Sequence, residues 1–291
     1  MSDPARPVIW SDGRLRSPDE PVATAVDHGL TVGDGVFETC GVAGGHAFAL
    51  SRHLRRLGRS AEGLGLPAPD EDEVRAGVAA VLAAAGPDAG RVRITLTGGP
   101  GPLGSHRFDP VDARPTLIVL AGPAPRSPVA RAVRVPWVRN ERSAVAGLKT
   151  TSYAENVVAL AEAYRQGADE ALLANTIGEL CEGTGSNVFV ERGGELLTPP
   201  LSSGCLAGIT RELLLEWAAE AGLPVREAGA GELPYTVLDE ALGGGAGLVL
   251  SGSVRNVAPV VELDGRPVEV GEVTAAARAL FEERMASDVD P

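Results

Sequence analysis

The sequence predicts a mixed α+β chain, and three observations point there. Short β-branched runs outnumber segments with helical period. The runs are joined by tight glycine turns as often as by helices, which argues against a doubly wound parallel sheet. A length of 291 residues suits one large domain or two of ordinary size. Ala121–Pro128, reading AGPAPRSP, is the best linker candidate. The expected division is therefore an N-terminal α+β domain over 1–120, a linker over 121–128 and a C-terminal α+β domain over 129–291 that carries Lys149.

In the first part, Val36–Thr39 and Ala47–Leu50 read as short strands around the turn Gly44-Gly45. A helix is expected from about Leu54 to Leu64, with Leu54, Leu57, Ala61 and Leu64 on one face. Asp70 and Glu73 stand at capping-box spacing before an alanine-rich helix to about Ala85. Arg91–Thr97 and Thr116–Leu120 are expected strands, separated by a Gly/Pro loop over Gly98–Pro115. In the second part, a strand near Val129–Val135 leads through a polar loop to about Gly147. A helix over Tyr153–Gln166 follows, with Ser152 and Glu155 at capping-box spacing. Strands at Glu170–Ala174, Asn187–Glu191 and Glu195–Thr198 come next, then a helix over Thr210–Ala221. Short strands reach Leu263 and a last helix covers about Val273–Met285.

Composition excludes several classes. The net charge of −13 disfavours nucleic acid or an anionic membrane as partner, since both reward clustered Lys and Arg. No run is long and apolar enough for a membrane span, and the start, Met1-Ser2-Asp3-Pro4, lacks the pattern of a signal peptide. Three scattered cysteines, Cys40, Cys181 and Cys205, form no disulfide framework or zinc spacing, so a cytoplasmic location is expected. The four histidines show no metal spacing either, and no metal is expected. Gly99–Gly104 matches G-x-G-x-x-G, but two prolines remove donors a pyrophosphate needs and no helix pattern follows. There is no Gly-x-Ser-x-Gly nucleophile elbow.

One count stands out. Of 26 basic residues a single one, Lys149, is lysine. Arginine serves wherever charge alone is needed, but only lysine offers an amine that can deprotonate and attack a carbonyl. Glu182 lies in the small-residue segment Cys181–Asn187, read as a turn that lets a flat ligand approach the backbone. Gly204–Thr210 opens a helix whose free amides suit a phosphate, and Arg56 on an amphipathic helix offers a second phosphate contact or a surface cation. Together an amine, a carboxylate, a helix N-terminus and an arginine are the parts of a pyridoxal phosphate site.

At these residues the chain resembles the class IV aminotransferases, the fold type IV pyridoxal phosphate enzymes. The matching segments run in order over nearly the whole length. They begin with Asp27–Leu30, Gly33–Glu38 and His53–Leu57, followed by Lys149 with Tyr153 and Asn156, then Ala168–Ala171. Glu182-Gly183, Ser186–Phe189, Thr198–Pro200, Gly208–Arg211 and Ser251–Ser253 complete the series. The resemblance implies two α+β domains of the D-amino acid aminotransferase type with the cofactor between them, and a homodimer. It implies that Lys149 forms the Schiff base and moves the substrate α-proton. Glu182 would pair with the pyridine nitrogen, and Arg56, the Ile209 and Thr210 amides and Ser253 would hold the phosphate. Tyr153 would contact the phenolic oxygen side, and Ser186 and Asn187 complete the expected cofactor set.

The members differ in substrate, a small amino compound in each case. Branched-chain aminotransferases commonly place a tyrosine where this chain has Val32. The D-amino acid enzymes use an arginine and a histidine in the loop where His106 and Arg107 stand here, adjacent and late. Arg93, on the preceding strand, is a further carboxylate clamp if it faces inward. The Gly33–Thr39 stretch and the Lys149–Tyr153 segment are closer to lyase-like members. The expected activity is therefore conversion of 4-amino-4-deoxychorismate to 4-aminobenzoate and pyruvate, a step of folate precursor synthesis. An aminotransferase of branched-chain, D- or related amino acids is the alternative, and a non-catalytic carrier of the cofactor is the reading from another class.

Overall fold

The computed structural model describes residues 7–108, 113–124 and 127–291. By residue contacts the chain divides into two units. The first comprises Met1–Pro125, Leu148–Tyr153 and Asp288–Pro291, and the second Arg126–Gly147 and Ala154–Ser287. Leu148–Tyr153, expected in the C-terminal domain, thus belongs to the first unit. The physical reason is backbone pairing: the Phe37 amide donates to the Lys149 carbonyl at 3.0 Å and Thr150 bridges Val36. Of the expected linker, residues 125–126 lie outside the described residues, as do residues 109–112 of the Gly98–Pro115 loop and the start Met1–Pro4.

The first unit is built on a six-stranded antiparallel sheet. Its strands are β1 (Val8–Ser11), β2 (Arg14–Arg16), β3 (Gly35–Ala43), β4 (His46–Ala47), β5 (Arg91–Thr97) and β6 (Thr116–Gly122), in the order β2-β1-β6-β5-β3-β4. After a single turn α1 (His28–Thr31), helices α2 (Leu50–Leu64) and α3 (Glu71–Ala85) supply the apolar cover. Leu54, Leu57 and Ala61 of α2 and Val74, Val78 and Val81 of α3 share a core with Val36, Cys40, Val92, Ile94 and Val119. Period-2 alternation then sends Phe37 and Arg93 to the opposite face from Val36, Glu38 and Ile94. The strand expected over Ala47–Leu50 stops at Ala47, because α2 begins at Leu50. Its first turn has no local cap. Asp290, 239 positions away, supplies one by accepting from the Ser51 amide at 2.8 Å. The expected cap at Asp70 is present, accepting from the Asp72 and Glu73 amides.

The second unit holds a nine-stranded mixed sheet. Its strands are β7 (Ala130–Arg139), β8 (Glu170–Asn175), β9 (Leu180–Gly183), β10 (Asn187–Arg192), β11 (Glu195–Thr198), β12 (Val225–Glu227), β13 (Gly247–Gly252), β14 (Asn256–Leu263) and β15 (Arg266–Pro267). The order is β12-β11-β10-β13-β14-β7-β8-β9, with β15 beside β14, and the β11–β12, β14–β7 and β7–β8 pairs are parallel. Helices α4 (Ala154–Arg165), α5 (Ile209–Ala221), α6 (Val237–Leu242) and α7 (Glu272–Ser287) complete it. A core of Leu172, Val188, Val190, Leu238, Leu248 and Leu250 lies against α6, a helix the sequence reading passed over. The Cys181–Asn187 segment, read as a turn, is strand β9 as far as Gly183, so Glu182 has strand geometry. Helix α4 begins at Ala154, so Ser152 falls outside the cap position; its hydroxyl donates to the Gly33 carbonyl at 3.0 Å. No helix among the described residues is long and apolar enough to cross a membrane.

Candidate active site

In the first unit the β3–Lys149 pairing delivers the lysine to one face of the sheet. Lys149 Nζ lies 4.4 Å from the centroid of the Phe37 ring and 5.7 Å from that of Tyr153. The two rings meet edge to face, 5.2 Å apart at 84°. The Arg93 guanidinium stacks on the same Phe37 ring at 3.8 Å. Arg93 is half-buried and gives Nε to Thr95 Oγ1 at 3.3 Å; among the described residues no carboxylate pairs with it. Burial accordingly lowers its pKa from the ordinary guanidinium value. Phe37, Arg93, Lys149 and Tyr153 thus form an aromatic floor under two cations.

Behind the other face of β3 sits a buried charged cluster. The Glu38 carboxylate, fully buried, accepts from Arg56 Nε and Nη2, each at 2.7 Å, and pairs with His53 Nδ1 at 2.6 Å. Burial pushes Glu38 upward, but the charges and hydrogen bonds of Arg56 and His53 outweigh it and hold the carboxyl well below its usual range. Burial keeps His53 below its ordinary value despite Glu38, so the neutral imidazole donates from Nδ1. Arg56 is therefore no surface cation. The α2 period places it inward, and Glu38 orients its planar fork.

Two expected substrate residues are not presented to a ligand in this way. Arg107 gives Nε to Asp34 at 2.7 Å and Nη2 to the Leu64 carbonyl at 2.8 Å, so its fork is committed to closing the loop onto α2. His106 is exposed. Pro100, Gly101, Arg107 and Phe108 line a cavity of about 340 Å³ with His28 and Leu66.

In the second unit, Glu182 Oε1 accepts from Arg139 Nε at 3.1 Å and Oε2 from the Leu206 amide at 2.9 Å. Asn187 donates from Nδ2 to the Leu206 carbonyl at 2.8 Å. Helix α5 starts at Gly208 with no side-chain cap, so its first amides are not closed off by a local hydroxyl or carboxylate. A Cβ at Gly208 would fall 1.9 Å from Asn187 Oδ1, so any larger residue there must displace the Asn187 side chain. Ile209 and Thr210 are both buried at this helix start. Ser253 lies half-buried in the turn between β13 and β14. Ser186 is beside them in sequence order of the site, but its hydroxyl proton goes to Glu170 Oε2 at 2.8 Å. Glu170, itself buried, also receives the Thr184 amide at 2.8 Å, which fixes the β9–β10 turn. The Cys181 and Cys205 thiols are buried; burial first, and Glu182 next, push Cys205 up to about 11, so both remain neutral packing groups.

Sequence reasoning missed Arg139 as a partner of Glu182 and Glu38 as the orienter of Arg56. Glu38 carried a signal, since it alternates with apolar Val36 and Cys40 on the buried face of β3. Arg139 carried none: it follows Pro136, where the β7–β8 register slips between Arg134 and Val138, and only the folded strand aims it.

A class IV amino-transferase family model matches residues 35–263. The chain belongs to the class IV aminotransferase family. The bifunctional aminodeoxychorismate lyase / D-amino acid transaminase of Mycobacterium tuberculosis is 31% identical over 301 residues, covering 97% of this chain and 99% of that protein. Among solved structures, the pyridoxal phosphate-bound form of a hypothetical aminotransferase from Mycobacterium tuberculosis aligns with a TM-score of 0.83 at 29% identity, covering 97% of this chain and 99% of that one. A branched-chain aminotransferase from Thermoproteus uzoniensis, solved with norvaline, aligns at 0.81 and 28% identity, covering 96% of this chain and 95% of that one. This class IV enzyme is thus a pyridoxal phosphate-dependent transaminase or lyase with the two-sheet α+β fold of fold type IV.

The residues present fit that cofactor, judged by the chemistry of each unit. The first unit supplies a primary amine on an aromatic floor and a guanidinium fixed by a buried carboxylate. The second supplies a carboxylate held at both oxygens and a helix start without a side-chain cap.

Proposed function

We propose that this class IV enzyme is a 4-amino-4-deoxychorismate lyase that releases 4-aminobenzoate and pyruvate. The observation that carries the reading is the Arg93–Phe37–Tyr153 face beside Lys149. It offers two rings and a guanidinium that pairs with no carboxylate among the described residues, which suits a flat cyclic substrate bearing a carboxylate. The arginine that a D-amino acid enzyme would need is tied to Asp34, and Val32 stands in place of a tyrosine hydroxyl.

In this reading Lys149 anchors the cofactor, Glu182 partners its ring nitrogen and Tyr153 lies on its phenolic oxygen side. Arg56, the Ile209 and Thr210 amides and Ser253 hold the phosphate, and Asn187 shapes the approach to the helix start. Bound pyridoxal phosphate supplies an electron-withdrawing ring that acidifies the C–H next to the substrate amino group. Lys149 Nζ takes that proton, and its ammonium returns one to the departing three-carbon acid. Aromatic ring formation drives the elimination. Arg93 holds the ring carboxylate and thereby points the C–H at Nζ. The exposed apolar side chains Leu30 and Leu103 support a second copy of the chain as partner. Three buried free thiols support a reducing, cytoplasmic setting.

A transaminase is the second reading, favoured by the branched-chain and D-amino acid names among the relatives. The visible spectrum separates the two. Purified protein is titrated with single L- and D-amino acids without any oxo acid, then with 4-amino-4-deoxychorismate. A lyase keeps the aldehyde form of its cofactor throughout and yields 4-aminobenzoate. Conversion to the pyridoxamine form by an amino acid would overturn the lyase reading and name the transaminase class. Lys149→Ala should abolish turnover and borohydride capture of the cofactor under either reading.

A further inference from the structure

Glu182 is held by contacts from two places in the second unit, the end of β7 and the segment before α5. Arg139, the last residue of β7, gives Nε to Oε1 at 3.1 Å, and the Leu206 amide gives its N–H to Oε2 at 2.9 Å. Arg139 is fixed in turn: Nη1 donates to Asn156 Oδ1 at 3.2 Å, and Asn156 Nδ2 donates to the Thr184 carbonyl. The chain of contacts therefore runs from the end of β7, through the first turn of α4, to the β9–β10 turn, and closes on the carboxylate. Both charged side chains are largely buried, 18% exposed for Arg139 and 11% for Glu182, while the other nearby carboxylate, Glu155 at 3.6 Å, is 83% exposed.

We propose that Arg139 is a positioning residue for the cofactor's ring nitrogen, acting through Glu182: it sets the carboxylate plane and supplies its countercharge. The proposal rests on Glu182 as partner of that nitrogen. Arginine suits the position because its planar fork holds the carboxylate through Nε and the Asn156 oxygen through Nη1 in one fixed geometry, whereas a lysine would donate from a single atom. It follows that the effect of Arg139 depends on there being a nitrogen in the ring.

The test is a cycle of two cofactors and three variants in the full-length protein. Apoprotein is titrated with pyridoxal phosphate and with its 1-deaza analogue, which has carbon in place of the ring nitrogen. Arg139→Gln should weaken pyridoxal phosphate by about tenfold and leave the deaza analogue within about twofold of the parent. Arg139→Lys, which retains a cation and protects the fold, should show a smaller loss confined to the natural cofactor. Equal weakening of both cofactors, or of neither, overturns the proposal and makes Arg139 a structural residue. Glu182→Gln separates the two layers of the argument. Selective loss there without selective loss at Arg139 overturns this proposal alone. Equal loss of both cofactors in Glu182→Gln overturns the ring-nitrogen role of Glu182 and this proposal with it.

Discussion

Glu38→Ala removes a buried carboxylate that balances the buried Arg56. Glu38 and His53 have almost no exposure and Arg56 is 4% exposed, so water cannot replace the lost charge. Two hydrogen bonds of 2.7 Å to Arg56 and the contact to His53 Nδ1 disappear together. Removing one member of a buried pair in this way costs roughly 3–5 kcal/mol, because the partner's desolvation is left uncompensated. For a chain of this size that corresponds to a fall of about 5–8 °C in the unfolding midpoint. The assay is urea and thermal unfolding of the apoprotein, followed by circular dichroism. Replacing both partners, Glu38→Leu with Arg56→Leu, should recover about 2 kcal/mol of the single-variant loss, since no buried cation remains although His53 still lacks its acceptor. A single-variant loss below about 1 kcal/mol, or a double variant no more stable than Glu38→Ala, would refute the claim that charge balance organises this cluster.

Three further outcomes are expected. His53 is held below its ordinary pKa of about 6.5, so the unfolded chain binds more protons there and the stability it contributes is present above that value. This contribution is lost as pH falls toward the folded pKa, and unfolding midpoints of the parent and His53→Asn measured between pH 7 and 5 should converge. Arg93→Gln should raise KM for a carboxylate substrate by about 10- to 100-fold, with a smaller effect on pyridoxal phosphate affinity; an unchanged KM would remove Arg93 from substrate binding. Gly208→Ala places a methyl 1.9 Å from Asn187 Oδ1 and should destabilise the apoprotein by about 1–3 kcal/mol while weakening cofactor binding, measured by unfolding and by titration.

What the order of residues determines here is mostly chemistry and local form. The single lysine among 26 basic residues marks Lys149 before any fold is known, because only an amine can do what guanidinium cannot. The ordered segments around Glu38, Arg56, Glu182 and Gly208 identify the family, and the periodicity of α2, α3 and α5 sets which faces are buried. Tertiary structure alone decides which polar groups meet. The Asp34 carboxylate captures Arg107 across 73 positions, Glu170 accepts a hydrogen bond from Ser186, and Asp290 caps α2 from the far end of the chain. Arg139 reaches Glu182 across 43 positions because a proline-marked slip in β7 redirects the strand end. A hydrogen bond or ion pair forms only within about 3 Å, and sequence distance carries no record of that separation. Local propensity therefore reveals the elements, whereas the partners of buried charges become known only when the elements pack.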